Sequence, residues 1–445
     1  MEGVPGIRWY SAVWRWHFYA GLFCMPFVLW LAVTGTIYLW KPQIEGWLDR
    51  PYDTLSATGP RASAQAQVAA ALAAEPGARL HKYHLPQGPG EAARVIVGTG
   101  GLETRVYVDP YSLRVLKTIG EEDQPMRVVA QLHGKLLAGN MGSYIVEIAA
   151  CWTVTMLLTG LYLWWPRGRR GLAGIVYPRL RSGKRLFWRD LHSVAGIWVA
   201  VFALFLISTG LPWAKFWGSY FKEVRQITGT VDGPQDWAAG SPGSRAMLDD
   251  HAEHMGKGMR HAPAPGAELD RVVAATYPLG VAPPVLIAPP AQAGDPWTVT
   301  SDAPNRPLRN RITVDGKTGA LLSRRDFDQR HWLDRVMGYG IAAHEGALFG
   351  LANQILGTLT ALLLATLSVS GTVMWWRRRP IGLLGAPLPL RRPRFGSALA
   401  ALVLLLAIWM PLFGATLAGV ALFERFALRR MARLRHWLGL RPADA

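Results

Sequence analysis

Trp16-His17-Phe18-Tyr19-Ala20-Gly21, leading on to Thr34-Gly35, decides how this chain is read, because it returns as Leu191-His192-Ser193-Val194-Ala195-Gly196 leading on to Thr209-Gly210. The two copies align without a gap at an offset of 175, with 18 residues from the histidine to the second glycine in both. A second pair repeats the device. Leu132-His133 leads to Thr159-Gly160 and Trp164-Trp165, and Ala343-His344 leads to Ser370-Gly371 and Trp375-Trp376, with 27 residues from histidine to glycine each time. Two matched pairs in the same order read as a duplicated half-chain.

Each histidine stands at the mouth of an apolar segment. Half of the 445 residues are hydrophobic, and they concentrate in windows near 18 to 40, 144 to 165, 193 to 214, 351 to 376 and 397 to 423, each long enough to cross a ~30 Å hydrocarbon core. The first window exceeds a signal-peptide core and lacks a small-residue cleavage site after it, so it reads as a retained anchor. The chain is therefore expected to be a mainly α membrane protein: a duplicated bundle of four core transmembrane helices with a C-terminal fifth.

The net charge of +18 is not spread over a soluble surface. Residues 166 to 189 carry eight Lys/Arg and no acid, and 377 to 395 carry six Arg and no acid, whereas 41 to 131 and 214 to 343 are nearly balanced. By the positive-inside rule the basic loops are cytoplasmic and the balanced segments external, with the N-terminus inside. Topology accounts for the charge, and no nucleic-acid partner is expected. Trp9, Trp14, Trp16, Trp164, Trp165, Trp188, Trp375 and Trp376 at one level, and Trp40, Trp47, Trp213 and Trp217 at the other, read as interfacial belts. Cys24 and Cys151 lie in apolar windows, and no Cys-x-x-Cys-His motif for covalent haem occurs.

The expected boundaries are 1–40 for the N-terminus and first crossing, 41–131 for a first external domain, 132–166 for the second crossing and 167–188 for a basic loop. They continue as 189–214 for the third crossing, 215–342 for a second external domain, 343–376 for the fourth crossing and 377–395 for another basic loop. Residues 396–424 form a fifth crossing or a re-entrant hairpin, and 425–445 a basic tail. The external segments read as small α+β domains. In the first, an Ala-rich stretch precedes strand-like runs at 79–85, 93–98 and 104–119, and the strand end Val108-Asp109-Pro110 has a counterpart in Val314-Asp315-Gly316-Lys317-Thr318-Gly319. Pro411 would permit the hairpin, but a fifth crossing is the reading adopted, although Arg425, Arg429, Arg430, Arg433 and Arg435 at its far end conflict with the charge rule.

Depth sorts the histidines. His17 and His192 begin helices leaving the cytoplasm, while His133 and His344 precede helices entering from outside, so the expected pairs are His17 with His192 and His133 with His344. Two facing imidazoles suit a b-type haem, whose iron takes one axial ligand on each side; zinc would want four ligands, and no Cys or second His lies close in sequence. Gly21 and Gly196, one turn after their histidines, and Gly35, Gly210, Gly160 and Gly371, at the opposite level, are expected to clear space for the porphyrins. Two b-type haems follow as the expected cofactors. His251, His254, Met255, Met259 and His261 form an external cluster with copper-like ligand softness, and a solvated loop is the competing reading. Glu345 could orient a neighbouring ligand, Glu147 reads as interfacial, and His81, His84, His331 and His436 receive no role.

These residues resemble the PepSY-associated transmembrane family and, within it, are similar to inner-membrane ferric-siderophore reductases with two haems. The resemblance covers about residues 9 to 424 and rests on the four histidine segments, including Leu132-His133-Gly134-Lys135-Leu136-Leu137 and His344-Glu345-Gly346-Ala347-Leu348-Phe349-Gly350, the Trp-Trp helix ends and the two Val-Asp strand ends. It implies periplasmic PepSY-like domains, haem ligation by His17, His133, His192 and His344, and electron passage across a bacterial inner membrane to a ferric siderophore, releasing Fe(II). The first Asp turn departs from the pattern in lacking a glycine where the second has Gly319. No dinucleotide fingerprint is present, so the electron donor is expected to be external, a quinol or a cytosolic reductase. Two alternatives stay open: a haem-free scaffold that binds or restrains periplasmic proteases, and a copper-handling or cupric-reducing protein using the His/Met loop.

Overall fold

The computed structural model describes residues 5–99, 101–166, 171–231, 266–292, 294–387 and 396–440. Helix α1 (Pro5–Leu39) leads through α2 (Lys41–Leu48) and α3 (Arg50–Asp53) to α4 (Ala64–Ala74) and strands β1 (Arg79–Leu85), β2 (Ala93–Thr99), β3 (Leu102–Val108) and β4 (Val115–Gly120), then α5 (Pro125–Lys135) and α6 (Gly139–Trp164). A similar order follows with α7 (Lys184–Gly210), α8 (Lys215–Ile227), α9 (Ala267–Thr276), β5 (Val285–Ala288), β6 (Trp297–Ser301), β7 (Arg311–Val314), β8 (Leu321–Arg325), α10 (Trp332–His344) and α11 (Leu351–Arg378). Helices α12 (Ser397–Trp409), α13 (Pro411–Phe426) and α14 (Ala432–Trp437) close the chain.

Among the described residues, four helices are long and apolar enough to cross a membrane: Trp9–Leu39, Gly139–Trp164, Lys184–Trp213 and Leu351–Arg378. The shortest has 26 residues, about 39 Å at 1.5 Å per residue against a hydrocarbon core of about 30 Å. Hydroxyls inside these helices return to the carbonyl four residues back, as Thr153 does to Ala149, Thr360 to Leu356 and Ser368 to Leu364. That local bond satisfies a polar group where water is absent.

The chain divides into two compact units. One comprises Met1–Ile37, Gln131–Val224 and Ile355–Ala445, the other Tyr38–Ala130 and Arg225–Gln354. The second is built on a single eight-stranded antiparallel sheet in the order β4-β3-β2-β1-β5-β6-β7-β8, and this corrects the expectation of two separate small domains. β1 and β5 pair directly, with Tyr83 opposite Ile287, His84 opposite Leu286 and Leu85 opposite Val285. Each half would otherwise leave a bare edge of unpaired backbone groups, and joining them removes two edges at once. Alternation in the strands shows each strand's buried face and is silent about which edges meet. One face, with Val95, Val97, Val106, Val299, Ile312 and Val314, packs with Val68 of α4 and Leu269 and Val272 of α9 into one core.

The run at 104–119 is two strands joined by a turn. Asp109 Oδ1 accepts from the backbone of Tyr111 and Ser112, and Asp315 Oδ1 does the same for Lys317 and Thr318. The residue closing each turn has positive φ, +58° at Leu113 and +75° at Gly319. Leu113 thus takes the left-handed conformation that glycine adopts freely in the second copy.

The last apolar stretch is a helical hairpin, which corrects the expected fifth crossing. α12 has 13 residues and α13 has 16, about 20 and 24 Å long, each short of the core thickness. The chain breaks at Met410-Pro411, and Gly414 allows α13 to lie against Ala407 of α12. The tip is held by Trp217 Nε1, which donates to Trp409 O at 2.8 Å, and α13 by Trp152 Nε1, which donates to Thr416 Oγ1 at 3.1 Å. Beyond both ends the chain comes back to the start of α1. Arg15 donates to the carbonyls of Pro387 and Gly439, the Tyr19 hydroxyl donates to Leu438 O at 2.6 Å, and Leu384 N donates to Trp437 O at 3.0 Å. The arginines that conflicted with the charge rule therefore return to the side of the other basic loops. A reporter fused after Ala445 is expected on the same side of the membrane as one inserted between residues 171 and 183; reporters on opposite faces would refute the hairpin.

Candidate cofactor site

A histidine buried between apolar helices must place its ring proton, and three of the four do so in the same way. His17 on α1 has Nδ1 3.0 Å from Met156 O and 3.1 Å from Thr159 Oγ1 on α6. His192 on α7 has Nδ1 3.2 Å from Leu367 O and 3.1 Å from Ser370 Oγ on α11. His133 on α5 has Nδ1 3.0 Å from Thr34 Oγ1 on α1, with the Leu31 carbonyl as its backbone partner. The receiving hydroxyls already donate within their own helices, Thr159 to Thr155 O, Ser370 to Thr366 O and Thr34 to Trp30 O. Nδ1 is thereby the protonated nitrogen, which leaves the Nε2 lone pair for a metal.

The glycine after each hydroxyl completes the seat. A Cβ at Gly35 would stand 3.1 Å from His133 Cε1, one at Gly160 3.1 Å from His17 Cε1, and one at Gly371 3.4 Å from His192 Cε1. The space these glycines make is occupied by the imidazole rings, which differs from the expected clearance for a porphyrin. Gly21 faces Met156 Sδ at 3.8 Å and Gly196 faces Leu367 at 3.6 Å, ordinary packing distances between helices. Carbonyl, then hydroxyl three residues on, then glycine is thus a repeated receptor for histidine, and Leu206, Thr209 and Gly210 form its fourth copy in sequence. Spacing alone gives these hydroxyls no role, although one stands directly before each of Gly35, Gly160, Gly210 and Gly371.

His17 and His192 come together, with ring centroids 6.3 Å apart and planes at 80°. Imidazole nitrogens bind a metal at about 2.0–2.1 Å, so two on opposite sides of one ion lie about 4 Å apart, and each centroid lies a ring radius further out. The observed separation fits that arrangement. His133 falls in the membrane-helix unit, and His344 ends α10 in the sheet unit. Among the described residues no group of three or more His, Cys, Asp or Glu gathers to hold a metal. The His/Met cluster at 251–261 lies outside the described residues.

Other charged groups fix the surroundings. Asp190, two residues before His192, is fully buried and holds Arg179 through two bonds of 2.6 and 3.0 Å and Arg189 at 2.8 Å. This folds the loop 171–183 on to the start of α7, where Gly174 leaves room for Arg179. Several tryptophans go beyond belt positions: Trp164 Nε1 donates to Ile175 O at 3.0 Å and Trp375 Nε1 to Leu384 O at 2.8 Å, each anchoring its own loop. Glu147, expected at the interface, is buried and accepts from the first backbone N–H groups of α8 at Phe216 and Trp217, at 3.0 and 3.1 Å. It acts as a remote helix cap. Glu345 lies 3.9 Å from Arg306 Nε, and Cys24 and Cys151 are free and buried. Asp190→Asn should release Arg179 and make trypsin cleavage after Arg179 and Arg181 severalfold faster; unchanged cleavage would mean that other contacts hold the loop.

No curated protein matches the chain. A family profile described as the PepSY-associated TM region matches residues 14–378, which takes in the four apolar helices of membrane-crossing length, the whole sheet and all four histidine segments. The chain belongs to the family of the PepSY-associated TM region.

Proposed function

We propose that this protein is a membrane cytochrome with two b-type haems that passes electrons across a bacterial inner membrane to a ferric chelate outside, with siderophore-bound iron as the substrate. The observation that carries the reading is the pair of buried imidazoles from α1 and α7, 6.3 Å apart and each tied through Nδ1 to a neighbouring helix. His17 and His192 would hold one haem, and His133 and His344 the other. A haem with two imidazole ligands supplies reversible one-electron transfer.

The chain's own residues keep those ligands ready. Each Nδ1–H bond to a carbonyl fixes the tautomer and the ring angle, and an immobile ligand shell changes little between oxidation states. The Arg-rich loops support a cytoplasmic position for the His17–His192 end by the positive-inside rule, where a quinol or a soluble reductase would donate. The sheet unit would stand outside, where the ferric substrate accepts one electron and leaves its chelator as Fe(II).

The purified protein should show a Soret band with sharp α and β bands on reduction. His17→Ala and His192→Ala should each remove the same half of the haem, His133→Ala and His344→Ala the other half, and Gly160→Val should behave like His17→Ala by unseating the ring. A folded protein without a Soret band, or losses grouped in any other way, would refute the reading.

A further inference from the structure

The carbonyl that precedes His133 and the carbonyl that precedes His344 are each capped by a side chain from another helix, and the capping residue differs between the halves. His133 lies in the last turn of α5 (Pro125–Lys135), and His344 ends α10 (Trp332–His344). The last four carbonyls of a helix have no N–H of that helix to accept from, and Leu132 O and Ala343 O are among them. Trp30 Nε1 of α1 donates to Leu132 O at 2.9 Å. Asn353 Nδ2 of α11 donates to Ala343 O, also at 2.9 Å, beside a longer bond of 3.3 Å from Gly346 N. Leu132 and Ala343 correspond at an offset of 211, the offset that relates His133 to His344.

The two donors do not correspond. Where the duplication would repeat Trp30 stands Phe205, which has no N–H, and where it would repeat Asn353 backwards stands Gly142, at which a Cβ would overlap Lys135 O. Each half therefore lacks the donor of the other and supplies its own. Descent from one half-chain accounts for shared residues, but not for two unrelated side chains meeting the same carbonyl. Asn353 is buried, and among the described residues its Oδ1 has no partner. Its amide is held there at a cost, for the bond made through Nδ2.

The bond acts on the histidine because Leu132 O and the N–H of His133 belong to one planar peptide unit. Fixing that carbonyl fixes the plane from which the His133 side chain departs, and Ala343 O does the same for His344. His17 and His192 need no such donor. They lie well inside α1 and α7, where the preceding carbonyl accepts from the N–H four residues on.

We propose that Trp30 and Asn353 are positioning residues for His133 and His344, each closing the last helical turn at a metal-binding imidazole. The assignment of these two imidazoles to one haem rests on the function proposed above; the two capping bonds do not depend on it.

The test uses the full-length protein with Trp30→Phe, which keeps an aromatic ring and removes the N–H, and Asn353→Leu, which removes the donor together with the unpaired oxygen. In protein purified from haem-depleted cells, carbethoxylation followed by mass spectrometry should modify His133 roughly two- to tenfold faster in Trp30→Phe, the range for one lost hydrogen bond. His344 should respond by a similar factor in Asn353→Leu, with His17 and His192 unchanged in both variants. In protein purified with haem, both variants should lose the same haem faster to apomyoglobin, the one that His133→Ala removes, and keep the other. Unchanged rates at His133 and His344, or changes that spread to His17 and His192, would overturn the positioning role. Selective carbethoxylation changes in a protein that never takes up haem would keep the positioning role and refute the cytochrome.

Discussion

A neutral imidazole among apolar helices has one proton to place and one lone pair to offer, and the structure around His17, His133 and His192 is organised by where that proton goes. In each case it is directed to a carbonyl on a neighbouring helix, beside a hydroxyl and against a glycine. Desolvated N–H groups cost free energy unless bonded, so the helices that offer the receptor must pack against the helices that carry the histidines. α1 with α6, α7 with α11, and α5 with α1 are coupled by this requirement. The same bond fixes which nitrogen faces outward, so packing and ligand chemistry have one cause.

Peripheral contacts reinforce that arrangement from one end. Two residues before His17, Arg15 binds the loop after α11 and the chain end; two residues before His192, Asp190 binds the loop before α7. The hairpin of α12 and α13 is held at its tip by Trp217, and the segment that follows it by Tyr19. Both histidines of the pair thus begin on helix turns pinned by loops of the basic face.

Much of this was legible in sequence for physical reasons. The four crossing helices declared themselves by length and apolarity, the strand runs by alternation, and His17 with His192 by matched spacing and charge-assigned depth. The seats are visible in sequence without their purpose: Gly160 and Gly371 stand out because small residues recur at fixed distances, but spacing alone does not say whether the space holds a ring or a porphyrin. Glu147 looked interfacial because its partners, the amides of Phe216 and Trp217, lie on another helix. The union of the two sheet halves was hidden because edge pairing leaves no mark on the alternation within a strand. The hairpin escaped because Pro411 is compatible with a kinked crossing as well as a return, and the contacts of Tyr19 and Arg15 with the chain end join residues far apart in sequence.

The central claim is that His17 and His192 would together hold one haem. Low-temperature electron paramagnetic resonance of the oxidised protein tests it most directly, because two imidazoles with planes near 80° leave the ferric d orbitals nearly degenerate. The expected result is a low-spin ferric signal of large g anisotropy that disappears in both His17→Ala and His192→Ala. A purely high-spin spectrum, or a large-anisotropy signal that survives either substitution, would contradict the account.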